Sequence, residues 1–145
     1  MNIYLDASVI VKVYIKESET QAVLELTANT SSKATGLLSR AEVSAALAKA
    51  VRVGIVDRKV ASEALYRFRK DWSDYICITA TNPLIYLADR LAWDYGLRGY
   101  DAVHLASAIT WKEALGSPVT VATYDKQLWL AARTVALDVW PDQLN

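Results

Sequence analysis

Short apolar runs of strand length recur near residues 2–6, 34–38, 75–79, 119–122 and 136–139. The stretches between them carry apolar residues at helical spacing. Val43, Leu47, Ala50 and Val51 predict a helix over 41–53, with Gly54 as its stop, and Val60, Ala61, Leu65 and Phe68 predict another over 57–72. Two further helices, over 81–95 and 101–115, end on Gly96 and Gly116, which suit left-handed caps. Ser18-x-x-Gln21 and Ser39-x-x-Glu42 have the spacing of capping boxes, and Asn82-Pro83 sets a cap before a first-turn proline. Strand and helix alternating in this way predict an α/β fold with a mainly parallel sheet. No linker, repeat or low-complexity segment divides the chain, so one domain over 1–145 is expected.

Composition agrees with one sizeable core, since 53% of the 145 residues are hydrophobic. Sixteen Lys and Arg balance sixteen Asp and Glu. The whole molecule therefore has no net field to draw in a polyanion, and any nucleic-acid contact must come from a local basic patch. The only cysteine, Cys77, lies in the apolar run Tyr75-Ile76-Cys77-Ile78, which predicts a buried thiol in a reducing compartment. No apolar stretch approaches the roughly 20 residues of a membrane span, and Met1-Asn2 runs into a strand without a basic leader. The expected location is the cytoplasm, with no membrane partner.

Candidate chemistry enters with four acids. Asp6 closes the run Ile3-Tyr4-Leu5, Asp125 follows Val119-Thr120-Val121-Ala122, Asp101 opens one predicted helix, and Glu42 lies in the first turn of another. Singly, each fits a helix cap. Taken together they suggest more, because ligands in open α/β sheets bind beyond the carboxyl ends of the strands. Four carboxylates meeting there would raise one another's pKa values unless a cation neutralised them. Oxygen donors without a Cys or His cluster point to magnesium or manganese, ions suited to activating water for phosphodiester hydrolysis.

Tyr4-Leu5-Asp6-Ala7-Ser8, the helical Glu42, Gly99-Tyr100-Asp101-Ala102 and Thr123-Tyr124-Asp125 together resemble PIN-domain proteins, and most closely the VapC toxins. The resemblance covers essentially the whole chain. It implies a three-layer α/β/α PIN-like fold and a metal-dependent endoribonuclease in which Asp6, Glu42, Asp101 and Asp125 hold Mg²⁺, with Mn²⁺ able to substitute. It also implies RNA as substrate, a homodimer, and a cognate antitoxin covering the cleft. Ser8 and Thr123 are the expected auxiliaries; Ser8 suits either a bond to Asp6 or a cap on the next helix.

Among the basic residues, Arg40 and then Lys12 are the expected RNA contacts by their nearness in sequence to Glu42 and Asp6. The basic run Arg58, Lys59, Arg67, Arg69 and Lys70 reads as a solvated helix face. His104, the only histidine, reads as a packing residue. The alternative function is a noncatalytic PIN-like or receiver-like module. A receiver would want adjacent acids where Asp6 stands alone.

Overall fold

The computed structural model describes residues 1–145. Five strands, β1 (Asn2–Leu5), β2 (Ser32–Gly36), β3 (Ile76–Ile78), β4 (Val119–Ala122) and β5 (Asp138–Trp140), form one sheet in the order β3-β2-β1-β4-β5. Every neighbouring pair is parallel. The helices are α1 (Ala7–Tyr14), α2 (Thr20–Ala28), α3 (Ser39–Arg52), α4 (Arg58–Asp71), α5 (Asn82–Tyr95), α6 (Gly99–Leu115) and α7 (Lys126–Thr134).

Strand periodicity sorts the core into two layers, because successive side chains point to opposite faces. Ile3 and Leu5 pack with α1, α3 and α4 residues such as Val9, Leu47 and Phe68, while Tyr4 packs with α5, α6 and α7 residues such as Leu91, Leu105 and Leu128. The chain order reverses between β1 and β4, and right-handed crossovers then put the two sets of helices on opposite faces. A crevice opens at that switch point, beyond Leu5 and Ala122, whose Cα atoms are register partners.

Several local expectations shift. β2 begins two residues before the predicted run, and β5 covers 138–140. Neither capping box forms. Ser18 donates to the adjacent Glu19 carboxylate, and the buried Ser39 hydroxyl pairs with Thr35 at 2.7 Å. Leu38, not Ser39, is the N-cap of α3, and the Glu42 carboxylate is bonded elsewhere, as described below. The cap of α5 is Thr81, one residue before Asn82, accepting from the Leu84 N–H. Cys77 is half-exposed because β3 is an edge strand, so the expected buried thiol is not found. Gly96 and Gly116 do terminate α5 and α6 in the left-handed region, with φ of 63° and 64°.

Gly36 has a tighter reason to be glycine: an added Cβ would lie 2.6 Å from the Tyr4 hydroxyl. Tyr4 is fully buried and hydrogen-bonded, so it has no open space to retreat into. Gly36→Ala should therefore cost about 1–3 kcal/mol, the range for overpacking. In thermal melts this corresponds to a fall of roughly 2–4 °C per kcal/mol. An unchanged melting temperature would contradict the tight contact.

Candidate active site

Asp6, Glu42, Asp101 and Asp125 line one open cleft of about 470 Å³ at the crevice, together with Ser8, Lys49, Arg98, Tyr100 and His104. Four different segments supply the acids. Asp6 directly follows β1 and caps α1, accepting from the Val9 N–H at 3.2 Å. Asp125 caps α7 through the Leu128 N–H at 3.0 Å. Asp101 lies in the first turn of α6 and Glu42 in the first turn of α3. Capping and cleft-facing roles thus coincide at Asp6 and Asp125, since a helix that starts at a strand's carboxyl end brings its cap to the crevice.

Two hydroxyls staple the ends of β1 and β4 around Asp6. Ser8 donates to Asp6 Oδ1 at 2.6 Å and accepts from the Tyr124 N–H at 3.0 Å. Thr123 donates to Asp6 Oδ2 at 2.5 Å and accepts from the Asp125 N–H at 2.9 Å. Of the two readings of Ser8, the bond to Asp6 is the one observed. Burial pushes the Asp6 carboxyl above the usual carboxylate range, and His104 and these donors oppose that rise.

Asp101 is also buried, and burial raises its carboxyl likewise; Arg98 opposes the rise and the neighbouring Asp125 adds to it. Desolvation outweighs the mutual repulsion expected from four clustered acids. Arg98 spans two of them, donating from Nε to Asp101 Oδ2 at 2.8 Å and from a terminal nitrogen to Asp125 Oδ2. Its guanidinium also lies over the Tyr100 ring, 4.8 Å from the centroid. Arg98 is a cleft cation that reading along the chain missed, although it stands three residues before Asp101, one helical turn away.

Neither of the two expected RNA contacts is among the residues that line the cleft. Arg40 rests over the Trp72 ring, 5.5 Å from its centroid, and does not line the cleft. Lys12 is engaged by Glu17 and Glu19 at 2.5 and 3.1 Å. Nearness in sequence does not fix direction: Arg40 turns toward Trp72, and Lys12, six residues after Asp6, is drawn to Glu17 and Glu19. Arg67 of the basic run also has a structural task, donating to the Tyr14 carbonyl at 2.8 Å. Lys49, two turns after Glu42 on α3, is the other basic residue on the cleft lining.

His104 was expected merely to pack. It is buried, with Nε2 2.6 Å from Glu42 Oε1 and Nδ1 2.7 Å from the Tyr4 hydroxyl. Its position three residues after Asp101, on the same helix face, was the available signal.

The donor chemistry of the cleft fits a hard divalent cation: the acidic donors are all carboxylates, two of them buried at a desolvation cost that a cation would relieve. No three His, Cys, Asp or Glu side chains form a closed ligand group. Each acid is bonded within the protein, Asp6 by hydroxyls, Glu42 by His104, and Asp101 and Asp125 by Arg98.

A PIN domain profile matches residues 3–133. The chain belongs to the PIN-domain family. It is similar to the ribonucleases VapC45 and VapC49 of Mycobacterium tuberculosis, each 33% identical over 99% of this chain and 97% of the relative. Among solved structures, this PIN domain shares its fold with VapBC2 from Rickettsia felis bound to a promoter DNA fragment (TM-score 0.66, 15% identity, 97% of this chain and 99% of that one). FitAcB from Neisseria gonorrhoeae is as close in fold (TM-score 0.66, 18% identity, 99% and 96%). The five-stranded parallel sheet between two helical layers is the three-layer α/β/α arrangement expected from the resemblance.

Proposed function

We propose that this chain is a divalent-metal-dependent endoribonuclease and the toxin of a toxin–antitoxin pair, acting as one PIN-like domain over residues 1–145. The observation that carries the proposal is the meeting of Asp6, Glu42, Asp101 and Asp125, from four separate segments, on one cleft at the sheet's switch point. Full-length similarity to two ribonucleases supports the reaction class. Asp6, Asp101, Asp125 and Glu42 would hold Mg²⁺, or Mn²⁺ in its place. When bound, such an ion polarises a phosphoryl oxygen and lowers the pKa of coordinated water.

The protein's own groups prepare the cleft. Ser8 and Thr123 fix both oxygens of Asp6, so that this carboxylate enters the reaction already oriented. Lys49, which no carboxylate engages, supplies positive charge for an RNA backbone on a molecule of zero net charge, and half-exposed Tyr100 offers a ring for an unpaired base. Cytoplasmic RNA, a cognate antitoxin and a second copy of the chain are the proposed partners. The homodimer and the choice of magnesium follow from the family resemblance, and the cytoplasmic location from the lone cysteine and the lack of a membrane-length apolar run in the sequence. No helix is long and apolar enough to cross a membrane.

Purified protein incubated with structured RNA should release fragments bearing 5′-phosphates in Mg²⁺ or Mn²⁺ and should stop in excess chelator. Cleavage that persists in chelator would overturn the mechanism. The arginine bridge between Asp101 and Asp125 favours a second reading, a noncatalytic PIN-like module whose carboxylates are already neutralised. Divalent-ion binding with no cleavage of any RNA would select it.

A further inference from the structure

Glu42 has a single side-chain hydrogen-bond partner, and it is the only histidine of the chain. The contact joins opposite layers of the fold, α3 on one face of the sheet and α6 on the other. An ionised carboxylate has no proton to give, so the shared proton belongs to His104 Nε2. This holds whether Nδ1 accepts from the Tyr4 hydroxyl or donates to it.

The ring itself is well held. It meets Tyr4 edge-on, with centroids 5.8 Å apart and planes at 68°, and the Tyr4 hydroxyl occupies the space a Gly36 side chain would fill. His104 is 2% exposed, whereas the Glu42 side chain is 26% exposed. A long, partly exposed acid is thereby tied to a rigid buried ring. Without that tie, Glu42 would have to surrender its rotamer freedom on binding a ligand.

We propose that His104 is a positioning residue: backed by Tyr4 and Gly36, it fixes Oε1 of Glu42 and leaves Oε2 as the unbonded oxygen of an oriented carboxylate. The inference rests on Glu42 facing a divalent cation, as in the function proposed above. Outer-shell partners of metal ligands are worth about 10–100-fold in metal affinity.

A lone histidine makes the contact directly readable, since both imidazole ¹⁵N resonances belong to it and their couplings to the ring C–H protons tell Nε2 from Nδ1. Nε2 should be the protonated nitrogen in the wild-type protein, and Glu42→Gln should shift its resonance; an unchanged spectrum would overturn the contact. Mn²⁺ affinity, followed by paramagnetic resonance of the free ion, supplies the functional arm. His104→Leu should weaken binding by about 10–100-fold, and His104→Gln, which retains an N–H donor, should recover part of the loss. In a Glu42→Gln background the same His104→Leu change should have little further effect, because the two residues act as one unit.

Fully additive losses would overturn the proposal. Tyr4→Phe, which removes only a hydroxyl, should weaken Mn²⁺ binding less than His104→Leu does, and it carries the test if circular dichroism shows the His104→Leu protein unfolded. Wild-type Mn²⁺ affinity unchanged by Tyr4→Phe and His104→Gln alike would overturn it too. Failure to cleave RNA with the coupling intact would remove the ribonuclease reading and leave the positioning role, whereas cleavage with additive losses would do the reverse.

Discussion

The Asp101→Asn protein is expected to keep its fold and lose RNA cleavage by at least about two orders of magnitude. Asp101 is 3% exposed on the first turn of α6, and asparagine has nearly the same shape, so packing is preserved. What disappears is a negative charge on the cleft wall. Metal-based stabilisation of transition-state charge amounts to several kcal/mol, and each 1.36 kcal/mol is about tenfold in rate. Initial rates on one defined RNA, with Mn²⁺ at saturation for the wild-type protein, give the measurement. A folded Asp101→Asn protein that retains a tenth of wild-type activity would remove Asp101 from the site.

The same substitution has a second, opposite consequence for stability. Burial raises the Asp101 carboxyl, so in chelator its ionisation opposes folding. A group with a raised folded pKa contributes its full stability below the unfolded value of about 3.9, and that contribution is lost as pH rises through the folded value. The Asp101→Asn protein does not titrate there. Relative to wild type, it should therefore melt at a higher temperature at neutral pH than it does near pH 4, when both are measured in chelator. The lost pair with Arg98 subtracts little, because that side chain is more than half exposed. Asp6, raised by burial as well, should show the same direction of pH dependence.

The other large effect is on stability with divalent ions present. Free Mn²⁺ at one hundred times its Kd should stabilise the folded protein by about 2.7 kcal/mol. For a domain of this size that is roughly 5–10 °C in melting temperature. Monovalent salt at equal ionic strength should not reproduce the rise, because screening acts on exposed charges and two of these acids are buried. Asp6→Asn and Asp101→Asn should each abolish most of it. A flat response of the wild-type protein to both Mg²⁺ and Mn²⁺ would mean that Arg98 and His104 already neutralise the cleft in full, and the noncatalytic reading would stand in place of the enzyme.

Tyr4 shows how far a chain can be read locally. Its place in Ile3-Tyr4-Leu5 marks a strand, but nothing nearby says that its hydroxyl will meet a residue 100 positions later. Arg98 is similar. Its pair with Asp101 is local and recoverable from spacing, whereas its pair with Asp125 spans 27 residues and depends on how α6 and β4 lie together. The expected capping box at Ser39 failed because α3 starts at Ser39 itself, with Leu38 at the cap, while the Glu42 carboxylate meets a histidine 62 residues away.

The sequence by itself determined the strand and helix alternation, the glycine ends of α5 and α6, and the family pattern of four acids with their hydroxyls. Those features are short-range, written in periodicity, backbone permissiveness and residue type. Only the tertiary structure decided which cations and which histidine share the cleft with the acids, and that Arg40 and Lys12 stand outside it. Side-chain partners across a parallel sheet are set by strand order, register and the face each helix covers, and none of these is encoded within a few residues of the groups they bring together.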